Sequence, residues 1–316
     1  MTESNVPKDL EDLPGVGAAT AEKLRAAGYV DLEKLAAASP FEISEATGLN
    51  VETCKKIVEA AKEALNLEMR SGWDIYQMRK TIGRITTGSK KLDSLLGGGV
   101  ETQSMVEFFG KYSSGKSQVG FQLSVNVQLP KDKGGLEGKV VFIDTEGTFR
   151  PERIAQMAEA KGLNPEEVLK NIFVLKPQTS EEQIIFVEKL EPLIKKENIK
   201  LIVVDSLTSH FRADYIGRGS LSERQQKLNR HVHTLQRLAE QYNLAVYYTN
   251  QVMDNPGMLF GDPTTAIGGN VVAHAAAYRV YIRKGKDEKR IARLVDSPNL
   301  PEREVIFKVT QEGITD

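Results

Sequence analysis

One stretch of this sequence has the residue types and the spacing of a loop that binds phosphate groups. It follows the pattern G-x-x-x-x-G-K-[ST] and consists of Gly110, Lys111, Tyr112, Ser113, Ser114, Gly115, Lys116 and Ser117. The glycines and small serines let backbone N–H groups curl round phosphate oxygens at the start of a helix, while Lys116 adds a positive charge and Ser117 a hydroxyl for Mg²⁺. The stretch therefore predicts a site that binds ATP together with Mg²⁺.

Two acidic residues directly follow apolar segments that have the length of strands. KLIVVD ends at Asp205, where a carboxylate can hold the Mg²⁺ shell of a nucleotide or can merely cap the next helix. Glu146 follows KVVFID, in the segment FIDTEGTFRPER. Residues just beyond strand ends line the ligand crevice of an open α/β sheet. Glu146 can therefore orient and deprotonate a water molecule, and a solvated loop acid is the plainer alternative.

The segments that position these residues alternate in the manner of an α/β fold. Apolar runs (SMVEFF, KVVFID, NIFVLK, KLIVVD, LAVYYT) alternate with amphipathic helical stretches, which predicts a mostly parallel sheet with helices on both faces. AYRVYIRK, RIARLVD and EVIFKVT predict antiparallel strands that extend this sheet. Short helices with Gly turns precede it. We predict a helical domain at residues 1–66, a linker with a short extended piece at 67–84 and an ATPase core at 85–316.

The composition limits the classes of function. The 42 basic and 43 acidic residues nearly cancel, so any nucleic-acid binding has to come from local basic loops. Cys54 is the one cysteine, which excludes an internal disulfide, and its helix-like setting favours a small apolar role. His231 and His233 are two apart on a predicted helix and cannot share a metal ion. A polar start and the lack of a bilayer-length apolar run predict a soluble, cytoplasmic protein without membrane contact.

The sequence as a whole resembles the archaeal branch of the RecA/RadA family of DNA recombinases. The matching segments, in chain order, are residues 110–117, DTEGTFRPER at 144–153, DSLTSHFR at 205–212, ERQQKL at 223–228, TNQV at 249–252, IGG at 267–269 and DSP at 296–298. The likeness runs from about Leu13 to Asp316. It implies a RecA-like P-loop ATPase core with a mostly parallel central sheet, preceded by a small all-helical helix-hairpin-helix domain.

The resemblance also implies an activity and the residues that perform it. Members of the family are DNA-dependent ATPases that assemble as helical filaments or rings on single-stranded DNA, pair it with double-stranded DNA and exchange strands during recombinational repair. By this likeness Glu146 is the catalytic carboxylate, and Lys116 and Gln251 act with it on ATP. The protein would work in the cytoplasm, on the DNA of the nucleoid.

The same likeness implies that ATP is held between neighbouring copies of the chain. Arg153 would lie against the adenine, a task that suits its planar, weakly hydrated guanidinium. The segment from Asp296 to Pro301 would cap the nucleotide of the next subunit. His274 would act with Gln251 as a sensor of the γ-phosphate at the subunit interface.

Two segments of the core resemble the DNA-binding loops of the family. The first, at residues 212–224, carries Arg212, Tyr215, Arg218 and Arg224 on a Gly-containing stretch that suits phosphate contacts and insertion between bases. An ordinary surface loop with salt bridges is the alternative. The second, at residues 253–270, includes Gly268 and Gly269 and has almost no helical period, which is typical of a functional or a disordered segment. We expect it to become ordered on DNA.

The N-terminal segment LPGVGAATAEKL resembles a helix-hairpin-helix. In such a hairpin Gly15 and Gly17 present backbone N–H groups to a DNA phosphate without reading the base sequence. A plain tight turn between two helices is the alternative. ATGLNVETCKKI has the features of a second, degenerate copy.

The sequence departs from the family in three places. In the motif that docks one subunit on the next, Met69 stands where relatives have a phenylalanine, with Gly72 at the small position. Methionine fills an aromatic pocket loosely, so weaker filaments are expected. Lys111 and Ser113 replace an acid and a glycine that are common in the phosphate loop, and Asn270 replaces a histidine.

Two other functions are compatible with the same motifs. A recombinase paralogue, or mediator, would bind ATP and DNA without strand exchange. Against it stand Glu146, the arginine-bearing segments, the cap residues and the N-terminal domain. A ring helicase on the same core would bring a helical collar and a hexamer-specific arginine finger, and the sequence has neither.

Overall fold

The computed structural model of the chain describes residues 9–65, 71–217, 219–254, 264–267 and 269–316. These residues form two compact units, Met1–Arg79 and Lys80–Asp316. None of the described helices is long and apolar enough to cross a membrane. The division into three parts, with a separate linker at 67–84, remains a prediction.

The N-terminal unit is helical, as the sequence predicts. After a 3-10 turn at Leu10–Asp12 its helices are α1 (Ala18–Ala26), α2 (Leu32–Ala37), α3 (Pro40–Thr47), α4 (Val51–Ala64) and α5 (Gly72–Arg79). Asp31 and Asn50 start α2 and α4 by accepting backbone N–H bonds of 2.7 and 2.8 Å. The apolar sides of the helices before α5 meet in one core, in which Cys54 is fully buried. Burial raises the pKa of its thiol, which keeps it protonated and unreactive.

Helix α5 lies where the sequence predicted a linker. Ser71 and Asp74 cap it reciprocally, since the Ser71 hydroxyl donates to the Asp74 carboxylate at 2.6 Å and accepts from the Asp74 N–H at 3.1 Å. None of the residues of α5 is buried, and Trp73 and Tyr76 pack on each other with ring centroids 5.6 Å apart. Local capping therefore starts this helix without the apolar period that would reveal it in the sequence.

The second unit is built on one large sheet. Its strands are β1 (Arg84–Ile85), β2 (Val100–Glu101), β3 (Ser104–Phe109), β4 (Lys139–Asp144), β5 (Ile172–Leu175), β6 (Ile199–Asp205), β7 (Ala245–Asn250), β8 (Val252–Asp254), β9 (Thr264–Ala266), β10 (Tyr278–Lys284), β11 (Lys289–Asp296), β12 (Arg303–Thr310) and β13 (Gly313–Thr315). The large sheet has the order β13-β12-β11-β10-β3-β7-β6-β4-β5. Pairing is parallel from β10 through β3 to β5 and antiparallel from β10 to β13, as the sequence predicts.

Helices cover both faces of this sheet. They are α6 (Lys90–Leu95), α7 (Lys116–Asn126), α8 (Pro151–Ala160), α9 (Pro165–Lys170), α10 (Ser180–Glu188), α11 (Glu191–Glu197), α12 (Ser209–Asp214), α13 (Leu221–Tyr242) and α14 (Gly269–Ala275). Alternate residues of β6 belong to two separate cores: Leu201 and Val203 pack with α7 and α8, whereas Ile202 and Val204 pack with α10 and α13. A strand buried on both faces needs an apolar run rather than an alternating pattern, which is what KLIVVD provides.

Candidate active site

The phosphate loop joins β3 to α7 and lines a cavity of about 570 Å³. Both glycines of the loop occupy positions at which other residues do not fit. Gly115 starts α7 with a φ of 107°, a conformation that side chains rarely allow. A Cβ on Gly110 would lie 2.1 Å from the carbonyl oxygen of Ile282 on β10, so only glycine fits there. All eight residues predicted from the motif line the cavity.

Lys116 lies folded back against this loop. Its Nζ donates to the carbonyl oxygens of Gly110 at 2.9 Å and of Lys111 at 3.0 Å. Burial lowers the pKa of Lys116, and the nearby carboxylates Asp205 and Glu146 oppose that effect. A cation whose hydration shell has been replaced by weaker carbonyl partners can exchange them for phosphate oxygens.

Asp205 ends β6 at the bottom of the cavity and is 2% exposed. Its carboxylate accepts hydrogen bonds from the hydroxyls of Thr249, of Thr148 at 3.0 Å and of Ser117. Burial raises the pKa of Asp205, and these hydroxyls oppose the rise. The structure thus brings together the two residues that the sequence predicts as Mg²⁺ ligands, Ser117 and Asp205.

Glu146 also lines the cavity, and a fixed turn holds it there. The Asp144 carboxylate accepts the N–H groups of Thr148 and Phe149 at 2.9 and 3.2 Å. Thr145 is tied to the backbone of Ser206 by two bonds of 2.8 Å. The exposed Glu146 then accepts a bond of 2.7 Å from Nε2 of Gln251, which directly follows β7.

The groups around the cavity fit ATP with Mg²⁺. Ser117 and Asp205 offer the hydroxyl and carboxylate oxygens that Mg²⁺ prefers. The buried hydroxyl of Ser206 also lines the cavity and has no hydrogen-bond partner among the described residues. Gly110 lies too close to the backbone of β10 to carry a side chain, so the loop can keep the tight course of a phosphate cradle only with glycine there.

Three residues predicted to contact nucleotide are not among the described residues that line this cavity. Arg153 donates to the carbonyls of Thr310 at 2.5 Å and Gln311 at 2.6 Å, and reaches the cavity wall only through Gln118 at 2.8 Å. Asp296 ends β11 and Pro301 precedes β12. Their predicted contact is with the nucleotide of a neighbouring copy, and it remains a prediction, as does the adenine contact of Arg153.

The first segment resembling a DNA loop is shorter than the sequence suggested. Arg212 lies on α12 and Arg224 in the first turn of α13, so both project from helices. Tyr215, between them, donates to Glu181 at 3.2 Å, and Nζ of Lys227 lies 5.2 Å from the centre of its ring. Arg218 lies outside the described residues. The DNA contacts of all four residues remain predictions.

The second such segment is regular at its ends. Strands β8 and β9 pair in antiparallel fashion where the sequence suggested irregular chain, and α14 begins at Gly269. Ile267 donates its N–H to the carbonyl of Gln251 at 3.0 Å, and its own carbonyl accepts from Asn250 at 2.5 Å. This attaches the segment to the end of β7. Gly268 lies outside the described residues. His274 is exposed on α14 and is not among the described residues that line the cavity, so its contact with nucleotide remains a prediction.

The N-terminal glycines occupy an open turn before α1. Gly15 has a φ of 83°, and a Cβ on Gly15 or Gly17 would meet nothing within 4 Å. A phosphate could therefore approach this backbone closely, and the DNA contact remains a prediction. In the docking motif Gly72 is the first residue of α5, whereas Met69 lies outside the described residues.

Arg290 is a cavity residue that sequence reasoning missed. It lies on β11, and its buried Nε has no partner among the described residues. A Cβ on Gly115 would lie 3.5 Å from that atom, so the guanidinium is against the phosphate loop. The segment RIARLVD predicts only a strand. That β11 approaches a loop 175 positions earlier in the chain cannot be predicted from the local sequence.

Comparison with known proteins gives one consistent result. The model of the Rad51 family matches residues 78–316, and that of a SAM-like helix-hairpin-helix tandem matches residues 7–63. The DNA repair and recombination protein RadA of Aeropyrum pernix is 56% identical over 309 residues, which are 98% of this chain and 97% of the relative. The protein of the same name from Metallosphaera sedula is 53% identical over 310 residues, 98% and 96% of the two chains. The tandem match supports the second hairpin copy noted at residues 46–57.

Proposed function

The chain belongs to the Rad51 family, and from that premise we propose that it is an ATP-dependent DNA recombinase. It assembles on single-stranded DNA, pairs it with homologous double-stranded DNA and exchanges strands, in the cytoplasm at the nucleoid. The names of its two relatives, DNA repair and recombination proteins, support the role in repair. The observation that carries the proposal is the convergence of Lys116, Asp205, Glu146 and Gln251 on one cavity.

Each of these residues has a task that its position allows. When bound, ATP and Mg²⁺ supply the phosphoanhydride bond and the charge that neutralises its oxygens. Lys116 would exchange its carbonyl partners for phosphate oxygens, and Ser117 and Asp205 would hold the metal. Glu146 would accept the proton of a water molecule at Oε2, because Gln251 binds its Oε1.

The test of this function is a comparison of Lys116→Ala with the parent chain. The loop backbone alone does not balance the phosphate charge, so the variant should lose ATP-dependent binding of single-stranded DNA and strand exchange. Lys133→Ala, which removes an exposed lysine outside the cavity, is the matched control and should exchange strands normally. Strand exchange at the parental rate by Lys116→Ala would rule the proposal out.

The same assay separates a recombinase from a mediator. A parent chain that binds ATP and single-stranded DNA but joins no homologous duplex would be a mediator. Electron microscopy of the protein on single-stranded DNA with a non-hydrolysable ATP analogue would test the filament directly.

A further inference from the structure

Three polar side chains form a chain from the first predicted DNA segment to the catalytic carboxylate. NH1 of Arg212 donates to Oε1 of Gln251 at 3.1 Å, and Nε2 of Gln251 donates to Oε1 of Glu146 at 2.7 Å. Arg212 is exposed on α12, and among the described residues it makes no ion pair with a carboxylate. The carboxamide of Gln251 is thus its side-chain partner in the described part of the molecule.

The two end groups determine the orientation of the carboxamide. A guanidinium only donates hydrogen bonds, so the oxygen of Gln251 must face Arg212. An ionised carboxylate only accepts them, so the nitrogen must face Glu146. If the carboxamide turned by 180°, its nitrogen would face the guanidinium, which is also a donor, and its oxygen would face the carboxylate, which is also an acceptor. Both hydrogen bonds would then be lost. Both end groups therefore hold the amide in the same orientation, and loss of Arg212 removes one of the two bonds that keep it there.

We propose that Arg212 is a positioning residue that holds Gln251 on Glu146 until DNA withdraws it. The bond from Gln251 occupies a lone pair at Oε1 of the catalytic carboxylate, so that oxygen is not available to accept from water while the bond persists. A DNA phosphate is a charged acceptor and binds a guanidinium more strongly than a neutral amide does. Binding of the DNA backbone therefore takes Arg212 from Gln251, removes one of the two bonds that hold the carboxamide, and so makes it easier for Gln251 to leave Glu146.

This inference rests on the proposed function and deepens it, because it names the contact through which single-stranded DNA controls hydrolysis. The coupling is reciprocal: if DNA has to displace Gln251 from Arg212, then Gln251 has to weaken DNA binding. That consequence can be measured without nucleotide.

The first test is a double-mutant cycle on DNA binding in the absence of nucleotide. Gln251→Ala should tighten binding of a labelled oligo-dT about two- to tenfold, the equivalent of one hydrogen bond, as measured by fluorescence anisotropy. In the Arg212→Ala background the same substitution should change the affinity by less than about twofold. An equal effect of Gln251→Ala in both backgrounds would overturn the positioning role.

The second test is the rate of ATP hydrolysis without DNA. Arg212→Ala should raise this rate about two- to tenfold and should reduce the further stimulation by DNA. Arg230→Ala is the matched control, because Arg230 is exposed on α13 and bonded at 2.8 Å to Glu188, away from the cavity; its basal rate should equal that of the parent. A fall in DNA-free hydrolysis for Arg212→Ala would mean that Arg212 assists Glu146 and would reject the inference.

The two proposals can fail separately. A parent chain that neither binds single-stranded DNA nor hydrolyses ATP would refute the proposed function. A parent chain that does both, but shows no coupling between residues 212 and 251, would refute only the role of Arg212.

Discussion

Asp205 combines burial with three hydroxyl donors, and the two act on its charge in opposite directions. Burial raises the pKa of the carboxyl, whereas the bonds from Thr249, Ser117 and Thr148 favour the ionised form. A divalent cation at this position would add the largest local charge and favour ionisation further. The hydroxyls therefore stabilise a carboxylate at a site where an unpaired charge would be costly.

Glu146 differs from Asp205 in being exposed, which suits a group that has to exchange a proton with water. We expect Glu146→Gln to lower ATP hydrolysis by a factor of about 10² to 10⁴, the usual contribution of one positioned base, while ATP binding and assembly persist. The measurement is phosphate release beside nucleotide binding on the same preparation. Unchanged turnover would remove Glu146 from the mechanism.

His231 is a buried residue of the core whose ring packs on Phe211 with centroids 5.6 Å apart. Burial lowers its pKa to about 3, whereas the unfolded chain has a value near 6.5. Below pH 6.5 the unfolded state takes up a proton that the folded state excludes. The contribution of His231 to the free energy of unfolding is therefore complete above pH 6.5. It falls by up to about 1.4 kcal/mol per pH unit as the pH decreases towards 3.

The pH dependence of unfolding tests this assignment. From pH 6.5 to 4.5 we compare the free energies of unfolding of the parent and of His231→Gln, measured by denaturant titration. The decrease should be smaller in the variant, by roughly 2 to 3 kcal/mol. His233→Gln is the matched control on the exposed side of α13 and should keep the parental profile. Identical slopes for all three chains would show that His231 is protonated in the fold.

At the level of elements, β3 and β10 are joined by a charged pair inside the sheet. Glu107 is fully buried and accepts from Nε of Arg279 at 2.6 Å and from Asn250 at 2.8 Å. Burial raises the pKa of Glu107, and Arg279 is the strongest opposing influence. Asn250 also binds the carbonyl of Ile267, so the pair supports the anchor of the second predicted DNA segment.

Removing one partner of this pair should cost more than removing both. Arg279→Met leaves Glu107 as an uncompensated buried charge and should lower the free energy of unfolding by about 3 to 5 kcal/mol. Arg279→Met with Glu107→Leu should recover part of that loss. Arg283→Met is the control on the same strand, because its pair with Glu304 is about half exposed and should contribute about 1 kcal/mol or less. Equal effects of Arg279→Met and Arg283→Met in denaturant titrations would contradict this account.

The elements that the sequence predicted are those whose burial leaves a periodic signal. The core strands and their helices agree with the apolar runs, because a strand buried on both faces is mostly apolar and holds a polar residue, such as Glu107, only where it is paired. Helix α5 and the pair β8 with β9 were missed. Capping by Ser71 and Asp74 defines the first, and pairing between the ends of a long segment defines the second. Neither cause requires a buried face.

Within the site, too, some features could be predicted from the local sequence and others could not. Lys116, Ser117 and Asp205 line one cavity, and their neighbourhood could be expected because local sequence defines the phosphate loop and the end of the strand. The contact between Glu146 and Gln251 joins residues 105 positions apart, and the approach of Arg290 depends on the order of strands in the sheet. Such contacts follow from topology and could not be derived from spacing along the chain.

On the scale of the whole molecule, 42 basic and 43 acidic residues give a net charge of −1. Many surface cations are already paired, as Arg230 is with Glu188. A chain without a long-range positive field has to grip the DNA backbone through a few local cations. Arg224, in the first turn of α13, is such a cation, since no bond to a carboxylate is found for it among the described residues.

The salt dependence of DNA binding measures how many of these cations contact phosphates. Each lost contact between a cation and a phosphate of single-stranded DNA lowers the slope of log affinity against log salt by about 0.7. Arg224→Ala, titrated with oligo-dT across a salt series with ATP present, should therefore show a slope smaller by about 0.7 and weaker binding at low salt. Arg230→Ala removes the same charge from the same helix and should keep the parental slope, because its guanidinium is held by Glu188. If both variants weakened binding equally, net charge rather than a local contact would govern affinity. If the loss for Arg224→Ala instead varied strongly with base sequence, the segment would be reading base edges, which a recombinase that acts on any sequence cannot do.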